Sequence, residues 1–400
     1  MSETPAPFTF FDSPEMAGDP FAMFAGLRQN APVFQPPGAN MWVVSRYDDA
    51  LRVFRDPETF SSEVGERPAE GEKRPPTILF DDPPVHTRMR GLLTGAFTPR
   101  VIELQRSAIE ENSKIMVDRM LAGETCDFIA GIAYPLPVMV IAAMLGVQDG
   151  DMATFKRWSD AIIENVASAL FDPGTNNALE QINAEFDAYF SKQLDKLRAE
   201  PQDNLLSALI HARGEDGSQL SQSDLLVICR VLLVAGNETT TGLIVNVTRV
   251  FTKFPEVLDQ LRERPELIPT MIEETLRDYP PFPATFRRTT RDVELSGVTL
   301  PKDSRLIVLI ASANHDEKVF DRAEEFVIDR DPNRHLGFGQ GIHYCLGAPL
   351  ARLETQIVLE TLIPRIKSLR IEGDAGGVLV PGGPKQMQVR FELGRAVAMA

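Results

Sequence analysis

The sequence predicts a mainly α-helical protein with a minor β part. Most of residues 85–280 shows the apolar spacing of helices. Residues 289–309 instead alternate apolar and polar side chains around Gly297 and Pro301, as hairpin strands do, and residues 385–393 form another strand candidate. Because the chain has no internal repeat and no long linker, residues 1–400 are expected to form one domain. Residues 1–40, rich in Pro and Phe, predict an irregular lead-in.

The elements between these landmarks follow from local signals. Residues 41–45 are apolar and predict a strand, which a helix to Phe54 follows. Residues 61–76 are polar and interrupted by Pro and Gly, so they predict a long surface loop, and loops of this length often act as lids. Ser221 and Asp224 resemble a capping box, and the helix that they begin is expected to reach Phe254. Such a helix would be about 50 Å long.

Composition excludes several classes of protein. The net charge is −16, with 41 basic and 57 acidic residues, which argues against nucleic acid as a partner. The three cysteines, Cys126, Cys229 and Cys345, have no paired spacing, so the chain is expected to lack disulfides and to work in the cytoplasm. The N-terminus does not resemble a signal peptide. No uncharged apolar run reaches the roughly 18–20 residues of a membrane helix, so no membrane association is expected.

The most informative segment is Leu336–Pro349, which reads LGFGQGIHYCLGAP. Its glycines permit backbone turns that a side chain would block. Cys345 stands just before an apolar, helix-like run, where exposed N–H groups favour a thiolate. A thiolate on such a loop is a good ligand for a soft or borderline metal. The alternative for Cys345 is a small buried cysteine in a glycine-rich turn. Cys126 and Cys229 are interpreted as small apolar residues that fill space in the core.

This segment resembles the Phe-Gly-x-Gly-x-His-x-Cys-x-Gly signature of the cytochrome P-450 family at every fixed position. Ligation of haem iron by a cysteine thiolate is a known property of that family. The resemblance implies the family's fold, with haem b buried between a long central helix and the cysteine loop. It also implies that Cys345 ligates the iron and that further residues of the segment bind the haem, namely Phe338, Gly339, His343 and Gly347.

The middle of the long helix is unusual for a helix interior. Gly236 there costs about 1 kcal/mol relative to Ala, and Glu238 places a carboxylate among apolar residues. A polar patch on a solvent-facing side is the alternative, although no polar stripe surrounds it. Residues 235–239 resemble the family's Ala-Gly-x-(Asp/Glu)-Thr motif. The resemblance implies that Thr239 donates a hydrogen bond to dioxygen and that Glu238, with water, relays protons.

Two further sets of residues are assigned by the resemblance. Glu274 and Arg277 lie on one helix face and match the family's Glu-x-x-Arg, a buried structural brace in which Arg330 is expected to be the third member. Four residues are expected to bind the haem propionates, with surface cations as the alternative. They are His86, Arg90, Arg287 and His343. Arg288 is adjacent to Arg287, and the spacing to Asp292 favours Arg287.

The resemblance implies a monooxygenase that inserts one atom of dioxygen into a small organic molecule. Because the sequence shows no flavin or iron–sulfur motif, a separate ferredoxin and its NAD(P)H-dependent reductase are expected to supply electrons. Arg90 and Arg352 are candidates for the ferredoxin docking patch. Two alternatives stay open: a peroxide-driven haem-thiolate enzyme, against which Glu238 and Thr239 argue, and a non-enzymatic haem sensor or electron carrier.

The substrate pocket is predicted only by position relative to these motifs. Its predicted walls are Leu79, Val231, Val234, Ala235, Phe282, Pro283 and Ala284. None of these side chains is charged, so a mainly hydrophobic substrate is expected. Several of them could instead belong to the core. The protein is expected to be a monomer.

Overall fold

A computed structural model describes residues 20–64, 77–171, 177–214, 217–373 and 384–394. Helices dominate and strands are the smaller part, which confirms the predicted fold class. The helices and strands are, in chain order, α1 (Pro20–Asn30), β1 (Val33–Phe34), β2 (Trp42–Val44), α2 (Tyr47–Arg55), β3 (Phe60–Ser61), α3 (Val85–Ala96), α4 (Pro99–Glu103), α5 (Arg106–Met120), β4 (Thr125–Asp127), α6 (Pro135–Met144), α7 (Met152–Phe171), α8 (Asn177–Ala199), α9 (Leu205–His211), α10 (Gln222–Lys253), α11 (Pro255–Glu263), α12 (Ile268–Asp278), β5 (Ala284–Thr289), β6 (Val293–Leu295), β7 (Val298–Leu300), β8 (Arg305–Leu309), α13 (Ile310–Ala313), α14 (Ala348–Leu362), β9 (Ile366–Ile371) and β10 (Gln388–Leu393).

The chain divides into two compact units. The first comprises residues 1–66, 113–133 and 239–400, and the second comprises residues 67–112 and 134–238. The boundary between them falls inside α10, between Glu238 and Thr239. The expectation of one domain stays a prediction.

The first unit contains all the sheets of the described residues. Its largest sheet has the strand order β1-β2-β8-β5-β3, in which only the β2–β8 pair is parallel. A second sheet has the order β4-β10-β9, and β6 pairs with β7 in a hairpin. The hairpin turns at Ser296 and Gly297, which both have positive φ, so the predicted turn at Gly297 is confirmed. The strand expected to start at Thr289 instead begins at Ala284, which places Arg287 inside β5.

The irregular lead-in predicted for residues 1–40 is wrong in its described part. Residues 20–30 form helix α1, and residues 33–34 form β1. Phe24 and Arg28 are four residues apart and lie on the buried face of α1. The buried face of α1 could not be recognised in the sequence because a charged residue such as Arg28 is normally expected on the solvent-exposed face of a helix. Its guanidinium is satisfied inside the protein by Glu317 at 3.1 Å and by the Ser312 carbonyl at 3.1 Å.

Among the described residues of the second unit, helices are the only regular secondary structure. Helices α6 and α8 pack against α7, and α9 packs against α8 and α3. Aromatic rings form the core between α7 and α8, where Phe186 lies 4.4 Å from Phe190 and 5.5 Å from Trp158, centroid to centroid. Residues 65–76 of the predicted long loop lie outside the described residues. The described flanks, 62–64 and 77–84, contain neither helix nor strand.

Helix α10 begins where the sequence predicts. The Ser221 hydroxyl accepts from the Asp224 N–H at 3.1 Å, and the Asp224 carboxylate accepts from the Ser221 N–H at 3.0 Å, which is a reciprocal capping box. The helix has 32 residues. By length and composition this helix could cross a membrane, as could the buried core helix of a soluble protein.

Candidate active site

The cysteine loop belongs to the first unit and is held by its own backbone. The Cys345 N–H donates to the Phe338 carbonyl at 2.9 Å, and the Gly339 N–H donates to the Leu336 carbonyl at 2.8 Å. Gly341 has φ +70°, and a Cβ there would lie 2.2 Å from the carbonyl oxygen of Phe54, so only glycine fits. The loop ends at the first turn of α14, and Cys345 is half-buried just before that turn.

The donor set around Cys345 indicates which kind of metal it suits. Among residues 20–64, 77–171, 177–214, 217–373 and 384–394, no group of three or more His, Cys, Asp or Glu side chains is arranged to hold a metal ion. A single thiolate does not complete a coordination sphere, so a metal bound here must bring its other ligands with it. Iron in a porphyrin does so. The residues around Cys345 therefore fit haem.

Two of the four predicted propionate ligands lie in the first unit. The imidazole Nε2 of His343 lies 2.9 Å from the Ser62 hydroxyl. The Arg287 side chain is buried, its guanidinium lies 5.6 Å from the Phe54 ring centroid, and it donates to the Phe286 carbonyl at 2.7 Å. Arg288 instead lies 3.9 Å from the Glu63 carboxylate. Neighbouring strand residues point to opposite faces of the sheet, which separates the two arginines.

The other two predicted propionate ligands, His86 and Arg90, lie four residues apart on α3 in the second unit. His86 is buried and Arg90 is half-buried. Burial and the positive charge of Arg90 lower the pKa of His86 below its ordinary value, although Asp81 and Asp82 oppose the shift. At neutral pH His86 is therefore an uncharged imidazole, and its use in binding an anion is as a hydrogen-bond donor.

Glu238 lies on a distinct face of α10. The spacing i, i+3, i+4 and i+7 places four residues on one side of the helix, and each of them is at least partly exposed: Val231, Val234, Ala235 and Glu238. Among the described residues the Glu238 carboxyl has no hydrogen-bond or ion-pair partner. Burial raises its pKa above the ordinary range of a carboxyl group. Thr239, the next residue, is exposed and belongs to the first unit.

Close packing explains the glycine in this stretch. A Cβ on Gly236 would lie 2.7 Å from Cγ1 of Ile141 on α6. The absence of a side chain lets α6 approach α10, and this approach compensates for the low helix propensity of glycine.

Glu274, Arg277 and Arg330 meet in a buried cluster of the first unit. Arg277 binds both carboxylate oxygens of Glu274 at 2.9 Å, and Nε of Arg330 lies 3.1 and 3.0 Å from the same two oxygens. The guanidinium of Arg277 also donates to the carbonyls of Asn314 and Ala323. With Glu274 and Arg277 fully buried, this charge is stabilised only because nearly every polar atom has a partner.

A second charged cluster, the Glu273 cluster, was not predicted. Glu273 binds Arg352 through two hydrogen bonds of 2.7 and 2.6 Å and accepts from His335 Nε2 at 3.1 Å. His335 Nδ1 in turn accepts from the Gly337 N–H at 3.1 Å, so the ring carries its proton on Nε2. The Arg352 guanidinium lies 4.5 Å from the Phe338 ring centroid. Arg352, predicted as a docking residue, is thus an internal partner of α12 and the cysteine loop.

Comparison with known proteins decides the family. A sequence model described as "Cytochrome P450" (cytochrome P-450) matches residues 21–372. The chain is 38% identical to the mycinamicin IV hydroxylase/epoxidase of Micromonospora griseorubida, over 87% of this chain and 88% of that protein.

The chain is a cytochrome P-450.

Solved structures agree with this assignment. CYP109Q5 from Chondromyces apiculatus superposes with a TM-score of 0.85 at 36% identity, covering 96% of this chain and 97% of that one. CYP109E1 from Bacillus megaterium, solved with testosterone, gives a TM-score of 0.81 at 32% identity, covering 93% and 99%. As a member of this family the protein is a haem-dependent monooxygenase with haem b as its cofactor.

The predicted pocket residues of this cytochrome P-450 fall into both units. Leu79, Val231, Val234 and Ala235 belong to the second unit, where Leu79 and Ala235 are exposed. The others, residues 282–284, belong to the first unit. Phe282 is exposed, whereas Pro283 and Ala284 are buried, and Ala284 packs in a core cluster with residues of α1 and the largest sheet.

Sequence reasoning missed Ser62, His335 and the role of Glu273. Glu273 stands next to Glu274, but only Glu274 matches the Glu-x-x-Arg motif, so no role was predicted for Glu273. His335 directly precedes the cysteine loop, and this position in the sequence could have suggested that it contacts the loop. Ser62 lies in a polar stretch that offers none.

Proposed function

We propose that Cys345 is the thiolate that ligates the haem of this monooxygenase. The observation that carries the proposal is the loop that holds Cys345 half-buried before α14, with its N–H bound to Phe338. The other two cysteines are poor candidates. Burial raises the pKa of Cys126 to about 11 and that of Cys229 to about 12, so both are protonated thiols at neutral pH.

Cys345→His tests the proposal, with Cys126→Ser as the matched control. Replacing thiolate by imidazole is expected to abolish the strongly red-shifted band of the reduced carbon monoxide complex, because that band depends on sulfur ligation. Cys126→Ser is expected to keep it. Survival of the band in Cys345→His would contradict the assignment.

The haem propionates are proposed to bind His86, Arg90, Arg287 and His343, and Phe338, Gly339 and Gly347 are proposed to contact the haem. The buried position of the Arg287 side chain supports this, because a hydrogen bond between a guanidinium and a carboxylate is stronger away from water. Ser62 supports His343, because its hydroxyl holds one ring nitrogen and so fixes the orientation of the imidazole.

Glu238 and Thr239 are proposed to deliver protons during dioxygen activation. When bound, haem b supplies the redox chemistry that splits dioxygen. The protein's task is to supply protons and hydrogen bonds. A carboxyl whose pKa is raised by burial exchanges protons at a pH nearer neutrality, which suits a proton donor. Its lack of an ion-pair partner among the described residues leaves both oxygens available to water. A peroxide-driven reaction would not need this pair.

The substrate is proposed to be mainly hydrophobic. The helix face formed by Val231, Val234 and Ala235 is apolar, and Glu238 is its single charged residue. Phe282 adds an exposed aromatic ring. An apolar surface of this kind orients a ligand by shape and burial. The relatives named above fit such a substrate, since one is solved with testosterone and another is named for the hydroxylation and epoxidation of mycinamicin IV.

Electrons are proposed to come from a ferredoxin and its NAD(P)H-dependent reductase, and the protein is proposed to work as a cytoplasmic monomer of one domain. Arg90 and Arg352 stay the candidates for the docking patch. Because Arg352 is bound to Glu273 at 2.6 Å, reversing its charge would also break an internal ion pair. A docking experiment therefore needs Glu273→Gln as a control for the loss of that pair.

A further inference from the structure

A line of hydrogen-bonding side chains, formed by Asn237, Ser159, Tyr134 and Asp160, begins at the residue before Glu238. Asn237, the residue before Glu238, is fully buried, and its side-chain N–H donates to the hydroxyl of Ser159 on α7 at 3.0 Å. Ser159 is also fully buried. Asn237 lies about 100° around the α10 axis from Glu238, on the same side as the buried Leu233 four residues earlier.

The line continues to the surface through Tyr134. The Tyr134 hydroxyl donates to the carboxylate of Asp160, and the side chains of Ser159 and Asn237 lie close enough to act on the pKa of the phenol as hydrogen-bond donors. Asp160 is exposed and lies 3.3 Å from the ammonium of Lys156, which also stacks 4.4 Å from the Tyr134 ring centroid. Burial and the charge of Asp160 both raise the pKa of Tyr134, so the phenol keeps its proton and acts as the donor.

This line does not carry protons to Glu238. The amide nitrogen of Asn237 is a donor with no basic lone pair, so a proton cannot pass through it. The Tyr134 proton points outward to Asp160. What the line does is fix the rotation of α10, because Asn237 is bound on one side while Gly236 packs against Ile141 on α6.

We propose that Asn237 and Tyr134 are positioning residues for Glu238. Consecutive residues of a helix differ by about 100° around the axis. Anchoring Gly236 and Asn237 to α6 and α7 therefore sets the direction of Glu238, which has no partner of its own among the described residues. The inference rests on the proposed proton delivery by Glu238 and adds the residues that hold the Glu238 side chain in position.

The test compares Asn237→Leu and Tyr134→Phe with Glu238→Gln in the full-length, haem-loaded enzyme. Asn246→Leu is the matched control, because Asn246 is a second buried asparagine of α10 and its amide donates to the Tyr279 carbonyl at 2.8 Å. The readouts are product formed per NADH consumed as a function of pH, and the hydrogen-exchange rates of the amides of residues 236–240.

Loss of one neutral buried hydrogen bond corresponds to roughly a fivefold change in an equilibrium. Asn237→Leu is expected to speed amide exchange in residues 236–240 by about this factor and to lower product per NADH. The pH midpoint of coupling is expected to move down, because a carboxyl that turns toward water loses the burial that raises its pKa. Tyr134→Phe, which removes one hydroxyl and disturbs the fold least, is expected to act in the same direction. Asn246→Leu is expected to change neither readout.

The proposal fails if both variants keep the wild-type coupling and pH midpoint while Glu238→Gln uncouples the enzyme. It is supported if Asn237→Leu causes no further loss in the Glu238→Gln background, since two residues that act as a unit are not additive. If Glu238→Gln itself leaves coupling unchanged, the proposed proton delivery is wrong. Amide exchange then tests whether Asn237 holds this part of α10 in place. Faster exchange in Asn237→Leu but not in Asn246→Leu supports that role, and wild-type exchange in Asn237→Leu overturns it.

Discussion

The Glu273 cluster is expected to stabilise the first unit by a few kcal/mol. Burial alone would raise the pKa of Glu273, but hydrogen bonds from Arg352 and His335, together with the positive charge of Arg352, lower it from 4.5 to about 2. At about 1.4 kcal/mol per pH unit, this difference of about 2.5 units corresponds to roughly 3.5 kcal/mol of folding free energy at most. Glu273→Gln keeps the shape of the side chain and removes its charge. It is therefore expected to lower the free energy of unfolding by about 2–3 kcal/mol at pH 7.

The pH dependence has a definite sign. The pKa of Glu273 is lower in the folded state, so its stabilising effect is complete above the unfolded value of 4.5 and is lost as the pH falls toward 2. The stability difference between wild type and Glu273→Gln should therefore be nearly constant from pH 7 to about pH 5 and fall to about two fifths by pH 3.

Urea unfolding followed by far-ultraviolet circular dichroism measures this difference. Glu266→Gln is the matched control, because Glu266 is an exposed glutamate in the turn that precedes α12 and has no hydrogen-bond or ion-pair partner among the described residues. It is expected to change stability by less than about 0.5 kcal/mol. Equal stability of wild type and Glu273→Gln at pH 7, or a difference that does not shrink between pH 5 and pH 3, would refute the reasoning.

Four further predictions concern the site. Thr239→Ala is expected to keep substrate binding but to divert reducing equivalents to hydrogen peroxide; an unchanged ratio of product to NADH would count against its role. Arg287→Leu is expected to speed haem dissociation by roughly tenfold or more, as loss of a charged hydrogen bond does, whereas Arg288→Leu, on the opposite face of β5, should not; equal rates would remove Arg287 from the propionate site. Neutral lipophiles such as testosterone are expected to shift the haem spin state, and a response only to small carboxylates or amines would contradict the hydrophobic pocket. Arg352→Gln is expected to slow reduction by ferredoxin and flatten its salt dependence more than Glu273→Gln does; an equal effect would assign the change to the internal pair.

Local sequence alone determined several parts of this protein. The start of α10 follows from the reciprocal cap of Ser221 and Asp224, and the β6–β7 turn follows from Gly297. The cysteine loop could be predicted because its glycines, Cys345 and the start of the following helix lie within fourteen consecutive residues. In each case the groups that interact are close in the chain, so their spacing already fixes their geometry.

Tertiary structure decided the rest. Arg352 reads as a surface cation until Glu273, 79 residues away, is placed beside it. Gly236 reads as a weak point of α10 until Ile141 is packed against it, and Asn237 has no evident purpose without Ser159. Periodicity shows which face of a helix is buried, but the partner of that face depends on how distant elements pack. For this reason the sequence could offer Glu238 only as a candidate proton donor, whereas the contacts that its neighbours Gly236 and Asn237 make with α6 and α7 depend on the folded chain.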